Sequence, residues 1–567
     1  MLSDNRTSRM SVILILAADL AIVSTGCARD VHMPNDGAIH TEEAIGTVDF
    51  QASCDDAVQN DFDHALGLLH HMMYVQAREA FKEITETDPN CAIAYWGIAT
   101  SLFQPLWGTR PSQEELHRGW LKIEKAEALV DDEREYYLIK ATKAFFQDPE
   151  SEDFRGRIHR WIQGMEAAYH ANPGDLDTAA LYALSRLTLA QQVEERDPLH
   201  EEAEGILRAI YEKIPTHPGA IHYTIHATDA KGRAKNALDM VAAYGEIAPE
   251  VPHALHMPSH IYVRLGDWPK VINWNRRSAD AALKDTVNGA VSHHYLHAMD
   301  YLLYAHLQQG EDDKARTVLN EAIAKDPHQA SFVSAFHSAA MPARYVVERR
   351  QWNEATGLEP RTPKYLPWDE SLWAEGLTWY ARGLGSVYTD NQKTARQAEE
   401  RLEALRDQAK EAGDKSFATY IEVDRRILAG WIAWHEDAFD NAVALMRSAA
   451  ELEASVEKHP VTPGALLPPN EALGHLLMDL GRPAEALEAY RISEEMRPGR
   501  YHTLLGAARA AAAAGDQNAA RTYYHRVLEI TLDSQRPGVV EARQFLGRSC
   551  LGEDPPKPRG LLSREWL

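Results

Sequence analysis

The sequence has little cysteine, no excess of positive charge and none of the usual catalytic signatures. Its 567 residues include 4 cysteines, and 59 Lys and Arg stand against 84 Asp and Glu, a formal net charge of −25. A chain without a basic cluster cannot neutralise phosphates, which argues against nucleic acid as a partner. There is no Gly-rich phosphate loop, HExxH pair or nucleophile elbow, and the scattered cysteines do not indicate a cysteine nucleophile.

Long apolar runs are scarce as well, apart from one near the N-terminus. Two arginines precede the run 10–23, which is too short to remain in a bilayer, and small residues then lead into Cys27. This order is typical of a secretory signal and resembles a bacterial lipobox, although Ser24 replaces the usual Leu and Asp19 interrupts the run. We expect an exported protein, periplasmic or attached to the envelope by a lipid on Cys27; the alternative is a short buried helix.

Five segments of the chain share one register. Counted from Pro218, Pro252, Leu296, Leu467 and Tyr501, the fifteenth residue is always glycine and the twentieth is always small. The glycines are Gly232, Gly266, Gly310, Gly481 and Gly515. Glycine closes a first helix in the left-handed conformation, the small residue lets a second helix approach, and proline about twelve places later ends it. The register therefore predicts helix–turn–helix units.

The segments "HMPSHIYVRLGDWPKVINWNRRSAD" and "ALGHLLMDLGRPAEALEAYRISEEMRP" carry this register most fully and resemble the tetratricopeptide repeat. The resemblance covers about residues 58–530. It implies an all-α fold, a right-handed superhelical solenoid of helix–turn–helix repeats, with a concave groove in which ligands or partners bind.

The chain is accordingly divided into six parts. They are a secretory signal with a possible lipobox (1–27), an N-terminal linker (28–56), degenerate repeats (57–215), His-rich repeats (216–360), C-terminal repeats (361–547) and a tail (548–567). In an oxidising compartment Cys54 and Cys91 can form a disulfide that staples the first repeat, and we expect this bridge; two buried thiols are the alternative.

Histidine is concentrated in the His-rich repeats. Ten of the 26 histidines lie between His217 and His306, where an even spread would place about four. Three pairs are spaced four residues apart: His222 with His226, His256 with His260, and His293 with His297. Residues four apart share one face of a helix, so each pair can converge on one ion.

The resemblance gives these positions a meaning, because the fifth and ninth residues of a first helix line the groove in this family. The first two pairs occupy those places in consecutive units, and in the third unit Asp300 and Tyr304 occupy them, with His293 and His297 on the same stripe. We predict a metal site of His222, His226, His256, His260, His293, His297 and Asp300. His337, Arg344 and Tyr304 are the candidates for binding a ligand, such as an anionic group, in the groove.

Burying six unpaired imidazoles costs solvation, which a metal ion or an anionic ligand would restore. Imidazole suits copper, zinc and iron, and the lack of cysteine in this stretch argues against a thiolate zinc site. The paired spacing is also similar to that of coupled dicopper proteins. An anion- or peptide-binding groove and a purely structural role remain alternatives.

Two functions follow. The first is an exported binding protein whose groove holds a metal ion together with a protein, peptide or small-molecule ligand, as the repeat family mostly binds and rarely catalyses. The second is a metalloenzyme using copper, iron or zinc, an oxidoreductase or hydrolase with its active site in the same groove.

Overall fold

The computed structural model of the protein describes residues 44–550, apart from 108–109, 152, 194 and 285. The expected signal, Cys27, the first part of the linker and the tail beyond residue 550 lie outside the described residues. Within the described part, no helix combines the length and apolar character needed to cross a bilayer.

Regular structure in residues 44–550 is almost entirely helical. The first half contains α1 Gln59–His70, α2 Tyr74–Thr87, α3 Ala92–Thr100, α4 Gln113–Leu129, α5 Glu133–Phe146, α6 Phe154–Ala171, α7 Leu176–Ala190, α8 Asp197–Lys213, α9 Pro218–Thr228, α10 Leu238–Val241, α11 Tyr244–Ile247, α12 Pro252–His256, α13 Pro258–Leu265 and α14 Trp268–Ala282. The second half contains α15 His293–Gln308, α16 Asp312–Ala324, α17 Phe332–Glu348, α18 Trp352–Thr356, α19 Leu372–Tyr388, α20 Gln392–Glu411, α21 Lys415–His435, α22 Phe439–Ala454, α23 Pro469–Asp479, α24 Pro483–Met496, α25 Tyr501–Ala513, α26 Gln517–Ile530 and α27 Pro537–Cys550.

The remaining elements are short. They are the 3-10 turns Asp56–Val58, Ala234–Ala237 and Trp368–Glu370, and an antiparallel hairpin of β1 Thr286–Val287 and β2 Ala290–Val291. Consecutive helices pack against each other along the chain, and their buried faces form extended cores between neighbouring units. The predicted all-α solenoid of helix–turn–helix repeats is confirmed.

The repeat glycines take the conformation for which the register selects them. All five have φ between 69° and 85°, the left-handed region in which a Cβ is strained. Gly266, for example, caps the end of α13 with φ 70°. Prolines follow the ends of α2, α16 and α24, at Pro89, Pro327 and Pro498. The glycine and the proline that define the repeat therefore both lie at helix ends.

One repeat departs from a regular hairpin at the His-rich stretch. Its first helix is divided into α12 and α13, because Pro258 has no N–H to donate to the carbonyl one turn earlier. The backbone tightens there, and the His260 N–H donates to Met257 O at 3.1 Å. The break places His256 and His260 on either side of a compact turn.

The surface shared by the first helices of the His-rich repeats is covered by other parts of the chain. Residues 455–468, which connect α22 to α23, lie across it: the Tyr301 hydroxyl donates to Pro460 O at 2.9 Å and Arg344 donates to Gly464 O at 3.0 Å. Trp107, in the connection between α3 and α4, packs on the ring of His253. The open groove expected at the histidines is therefore filled by the chain itself.

The N-terminal end of the described region is packed rather than loose. Ile45 and Phe50, in the part expected to be a linker, are buried, and the His71 ring bonds to Ile45 O at 2.9 Å. Cys54 and Cys91 are joined in a disulfide that ties this segment to the start of α3. Residues before α1 therefore pack on the helical array.

Replacing Gly266 by alanine should separate backbone strain from steric overlap. A Cβ at Gly266 would lie 2.7 Å from Pro498 O, whereas at Gly481, which has the same φ of 70°, it would meet nothing within 4 Å. We expect Gly481→Ala to cost about 1–2 kcal/mol of unfolding free energy and Gly266→Ala about 1–3 kcal/mol more. Thermal unfolding midpoints measure both, and equal shifts would contradict the predicted overlap.

Candidate metal centre

Five helices bring nine polar side chains of the centre together in the interior. Helix α9 carries His222 and His226, α12 carries His253 and His256, α13 carries His260, α15 carries His297 and Asp300, and α17 carries His337 and Arg344. All are buried except His226, whose edge faces a cleft. The equivalent repeat places of α9 and α13 lie side by side, since the rings of His226 and His260 have centroids 6.1 Å apart.

The imidazoles are grouped in two triads. In the first triad, His222, His226 and His253 each offer a ring nitrogen, and these three atoms lie within 4.8 Å of one another. In the second triad, His256, His260 and His297 do the same. Three converging nitrogens are the donor set of many protein metal sites that keep one position open.

Hydrogen bonds fix the proton positions in the second triad. His256 Nδ1 donates to Asn275 Oδ1 at 2.7 Å, and the amide cannot be reversed because its Nδ2 donates to Val271 O. His260 Nδ1 donates to the Asp229 carboxylate at 3.0 Å. The Nε2 atoms of these two histidines lie 3.0 Å apart. Because burial lowers the pKa of both rings, both are neutral, and each Nε2 turns a lone pair toward the other.

The third ring of this triad is oriented through a relay. His337 Nδ1 donates to Asp300 at 3.1 Å, so its Nε2 is an acceptor, and His297 Nδ1 donates to that Nε2 at 2.8 Å. His297 Nε2 is therefore also unprotonated and carries a lone pair. All three rings of the second triad present an unprotonated nitrogen to the same volume, as metal ligation requires.

The first triad is held less firmly. His222 Nδ1 donates to His70 O at 2.7 Å, which leaves its Nε2 buried without a partner. His226 Nε2 and both ring nitrogens of His253 are likewise buried without hydrogen bonds. An unsatisfied buried polar atom costs about 1–3 kcal/mol, and four such atoms lie in this one cluster.

Two buried carboxylates support the centre from outside. Although burial alone would raise the pKa of Asp229, the Lys458 ammonium and the Arg264 guanidinium, at 3.0 and 2.7 Å, hold it well below its usual range. Burial would also raise the pKa of Asp300, which Arg344 and His337 lower. Both carboxylates are therefore ionised and serve the second triad, since Asp229 accepts from His260 and Asp300 from His337.

A third cluster of potential ligands does not offer an unprotonated nitrogen from each of its histidines. His70, Asp177 and His217 also lie together in the interior. The Ala220 N–H donates to His217 Nδ1 at 3.2 Å, so the proton of this ring is on Nε2, which faces Asp177 at 3.1 Å. No lone pair remains on His217 for an ion. This cluster is a hydrogen-bonded tie between helices.

The structure brings most of the predicted ligands together, with three differences. His293 belongs to neither triad, and its ring contacts Trp107 and His294 instead. Asp300 points away from the triads toward His337 and Arg344 because the guanidinium neutralises its buried charge. His253 was not predicted, although its spacing of three from His256 in "HALH" places both on one helical face.

The residues predicted to bind a groove ligand form hydrogen bonds with other residues of the chain instead. Arg344 is 1% exposed and is bound to Asp300 and to the carbonyl of Gly464. His337 orients His297, and the Tyr304 hydroxyl accepts from Arg500 at 3.3 Å. These side chains are buried because residues 455–468 cover the surface on which an external ligand was expected.

Two cavities adjoin the triads. A small one of about 20 Å³ lies between them, and a cleft of about 510 Å³ reaches the edge of His226 from the protein surface. Trp107, His459 and Pro460 line both spaces and form part of the wall between them.

Comparison with known proteins bears on the scaffold that carries these residues. Residues 471–537 match the family model of the tetratricopeptide repeat. This segment of the chain therefore contains tetratricopeptide repeats. The matched region covers α24, α25 and α26, where the register of glycine, small residue and proline is most regular. No match to a curated protein was found.

The chain is also similar to solved structures, at low identity. One is the APC/C hetero-tetramer Cut9-Hcn1, with 12% identity over 86% of this chain and 96% of that chain, and a TM-score of 0.28. A second is a monomeric mutant of IFIT1 with m7Gppp-AAAA, with 12% identity over 84% and 96% and a TM-score of 0.36. A third is a tetratricopeptide repeat protein from Parabacteroides merdae, with 13% identity over 52% and 98% and a TM-score of 0.27.

The buried triads should make the chelator-treated protein sensitive to acid. Burial lowers the pKa of His226 to about 3, while the unfolded chain protonates this residue near its usual pKa of 6.5. Between these values the unfolded state binds more protons, so stability falls as the pH drops, by about 1.4 kcal/mol per pH unit for each such imidazole. We expect the thermal midpoint to fall between pH 7 and 5.5, and less steeply in His226→Gln.

His117 provides the control for this measurement. It is exposed, and its pKa is raised by bonds to Gln113 O and Glu150. His117→Gln should therefore leave the acid-side slope at least as steep as in the wild type. An unchanged slope in His226→Gln would show that the triad is not held neutral.

Proposed function

We propose that this chain is an exported tetratricopeptide repeat protein that binds two transition-metal ions, one in each histidine triad. The observation that carries the proposal is the pair of unprotonated Nε2 atoms of His256 and His260, 3.0 Å apart in the interior. Two facing lone pairs repel each other, and a cation between them turns the repulsion into two bonds. Nitrogens of a tetrahedral or tetragonal site lie about 3–3.4 Å apart when each is about 2.0–2.1 Å from the ion.

Copper is the metal we assign to this centre. Each donor set consists of three neutral imidazoles, with no carboxylate or thiolate among the ligands. Imidazole sets of this kind suit copper and zinc, and copper(II) has the highest affinity in the divalent series. Zinc is the competing occupant, and the metal analysis described below separates the two.

The two ions should be held unequally. Asp229 accepts a hydrogen bond from His260 of the second triad, and Asp300 accepts one from His337, which in turn accepts from His297. Such carboxylates raise the basicity of a ligating histidine. In the first triad the corresponding partner of His222 is a neutral carbonyl, and His253 has none. We therefore propose that the second triad binds its ion more tightly.

The proposed export rests on two features. The N-terminal segment has the order of a secretory signal ending at Cys27. The disulfide between Cys54 and Cys91 is of a kind that persists in oxidising compartments and is rare in the cytosol.

Catalysis is the second candidate function. It is favoured by the cavity that imidazoles of both triads line, because an ion held by three protein ligands would keep a position for a substrate or water. Binding of a protein or peptide at the histidines is less favoured, since residues 455–468 occupy that surface.

Metal content tests the proposed centre directly. Protein recovered from the periplasm, incubated with copper and desalted, should contain about two copper ions per chain by mass spectrometry of the metals. His256→Ala/His260→Ala should lose the more tightly bound ion, and His222→Ala/His226→Ala the more weakly bound one, because each keeps a single imidazole of its triad.

The control is His117→Ala, which removes an exposed histidine and should retain both ions. Circular dichroism checks that each variant is folded. Fewer than one ion per chain in the wild type after copper incubation would overturn the proposal, and stoichiometric zinc after incubation with both metals would overturn the choice of copper.

Cell fractionation tests the export proposal. Expressed in a bacterium with its first 27 residues, the protein should appear in the envelope, with Cys54 and Cys91 resistant to alkylation until reduced. Cys27→Ser should release it to the soluble periplasm if the cysteine carries a lipid, whereas Cys550→Ser should not. Wild-type protein retained in the cytoplasm would contradict export.

A further inference from the structure

The small cavity between the triads is lined by residues that metal binding alone does not require. It is bounded by two imidazoles of each triad, His226 and His253 from the first and His260 and His297 from the second. Its volume of about 20 Å³ corresponds to little more than one water-sized sphere. A ligand in this space would therefore lie between the two proposed ions and would be only a few atoms long.

Apart from His459, the rest of the cavity wall is apolar. Leu106, Trp107, Phe332, Pro460 and Val461 close the space opposite the histidines. An apolar wall offers no hydrogen bonds that would hold water in preference to another ligand. The cavity thus excludes bulky molecules by its size and gives water little to bind apart from the imidazoles.

His459 is the one polar side chain of this wall outside the triads. The Val461 N–H donates to its Nδ1 at 3.1 Å. Burial lowers the pKa of His459 to about 3, so the ring is neutral and its proton is on Nε2. Within the described part of the chain, no hydrogen bond from this Nε2 is present. The ring is held by Trp373 and Phe417, with centroid distances of 5.8 and 5.7 Å.

The cavity adjoins a cleft that reaches the surface, and the two spaces share several lining residues. His226, His459 and Trp107 also line the cleft of about 510 Å³, which opens at the surface. A small molecule entering this cleft meets the first triad at His226, whereas His260 and His297 line the inner cavity but not the cleft. Access therefore begins on the side of the more weakly held ion.

We propose that this cavity binds an exogenous ligand of two or three atoms with lone pairs at both ends, such as azide, cyanide or dioxygen, bridging the two ions and accepting a hydrogen bond from His459 Nε2. This inference rests on the proposed function, since it requires both triads to be loaded. It assigns His459 a role in ligand binding that is separate from holding metal.

Azide is the probe for the test. Protein carrying two copper(II) ions is titrated with sodium azide, and the azide-to-copper charge-transfer absorption is followed. His459→Phe retains an aromatic ring in the same apolar surroundings but removes the donor. We expect it to weaken azide binding about tenfold or more, the usual effect of losing a hydrogen bond to a charged group, with the copper content unchanged.

Two further variants make the result specific. His200→Phe changes a histidine that lines the cleft but not the cavity, and should alter azide affinity less than about twofold. Val461→Phe adds volume to the cavity wall and should abolish the azide absorption while copper stays bound, because the space is too small for both.

The outcomes separate this inference from the proposed function. A wild-type protein that binds no copper overturns the proposed function itself. Two bound copper ions without an azide band, an azide affinity unaffected by His459→Phe, or binding of benzoate with an affinity similar to that of azide would each overturn the small-ligand site alone. Azide binding that is lost in Val461→Phe and weakened in His459→Phe supports it.

Discussion

The Nε2 atoms of His256 and His260 face each other 3.0 Å apart, and the rest of the centre is arranged so that neither can carry a proton. Asn275 and Asp229 accept hydrogen bonds from the two Nδ1–H groups, and burial lowers the pKa of both rings. Elsewhere in a core, two neutral imidazoles would turn or share one proton. Here the helix break at Pro258 and the fixed acceptors keep both lone pairs directed at one point.

The repeat architecture makes this arrangement possible because it places equivalent positions of successive first helices next to each other. His226 of α9 and His260 of α13 occupy the same repeat place and are neighbours in space. The acceptors come from further away along the chain, and Lys458, which helps to keep Asp229 ionised, is 229 residues beyond it. A local pattern thus supplies the ligands, while long-range packing sets their protonation.

Features that depend on local spacing could be predicted from the sequence, whereas features that depend on long-range packing could not. The helical hairpins, the positive φ of the five repeat glycines and the convergence of His222, His226, His256, His260 and His297 all follow from spacing along one helix or between adjacent units. Asp300 was misplaced as a ligand because its partner Arg344 lies on another helix. The role of His459 had no sequence signal, since nothing in its own neighbourhood shows that residues 455–468 cross the His-rich repeats.

That crossing segment also bears on how the scaffold is used. A repeat array with an open inner surface presents its groove residues to a partner. Here Arg344 and Tyr301 donate to carbonyls of residues 455–468, and Lys458 of that segment donates to Asp229, so the segment is held against that surface. A peptide could reach the histidines only by breaking these bonds and exposing the buried charge of Asp229. A molecule of two or three atoms could approach from the cleft instead, since His226 and Trp107 line both the cleft and the inner cavity. Under the proposed function, the covering segment would therefore select ligands by size, because it closes a surface that repeat arrays otherwise leave open.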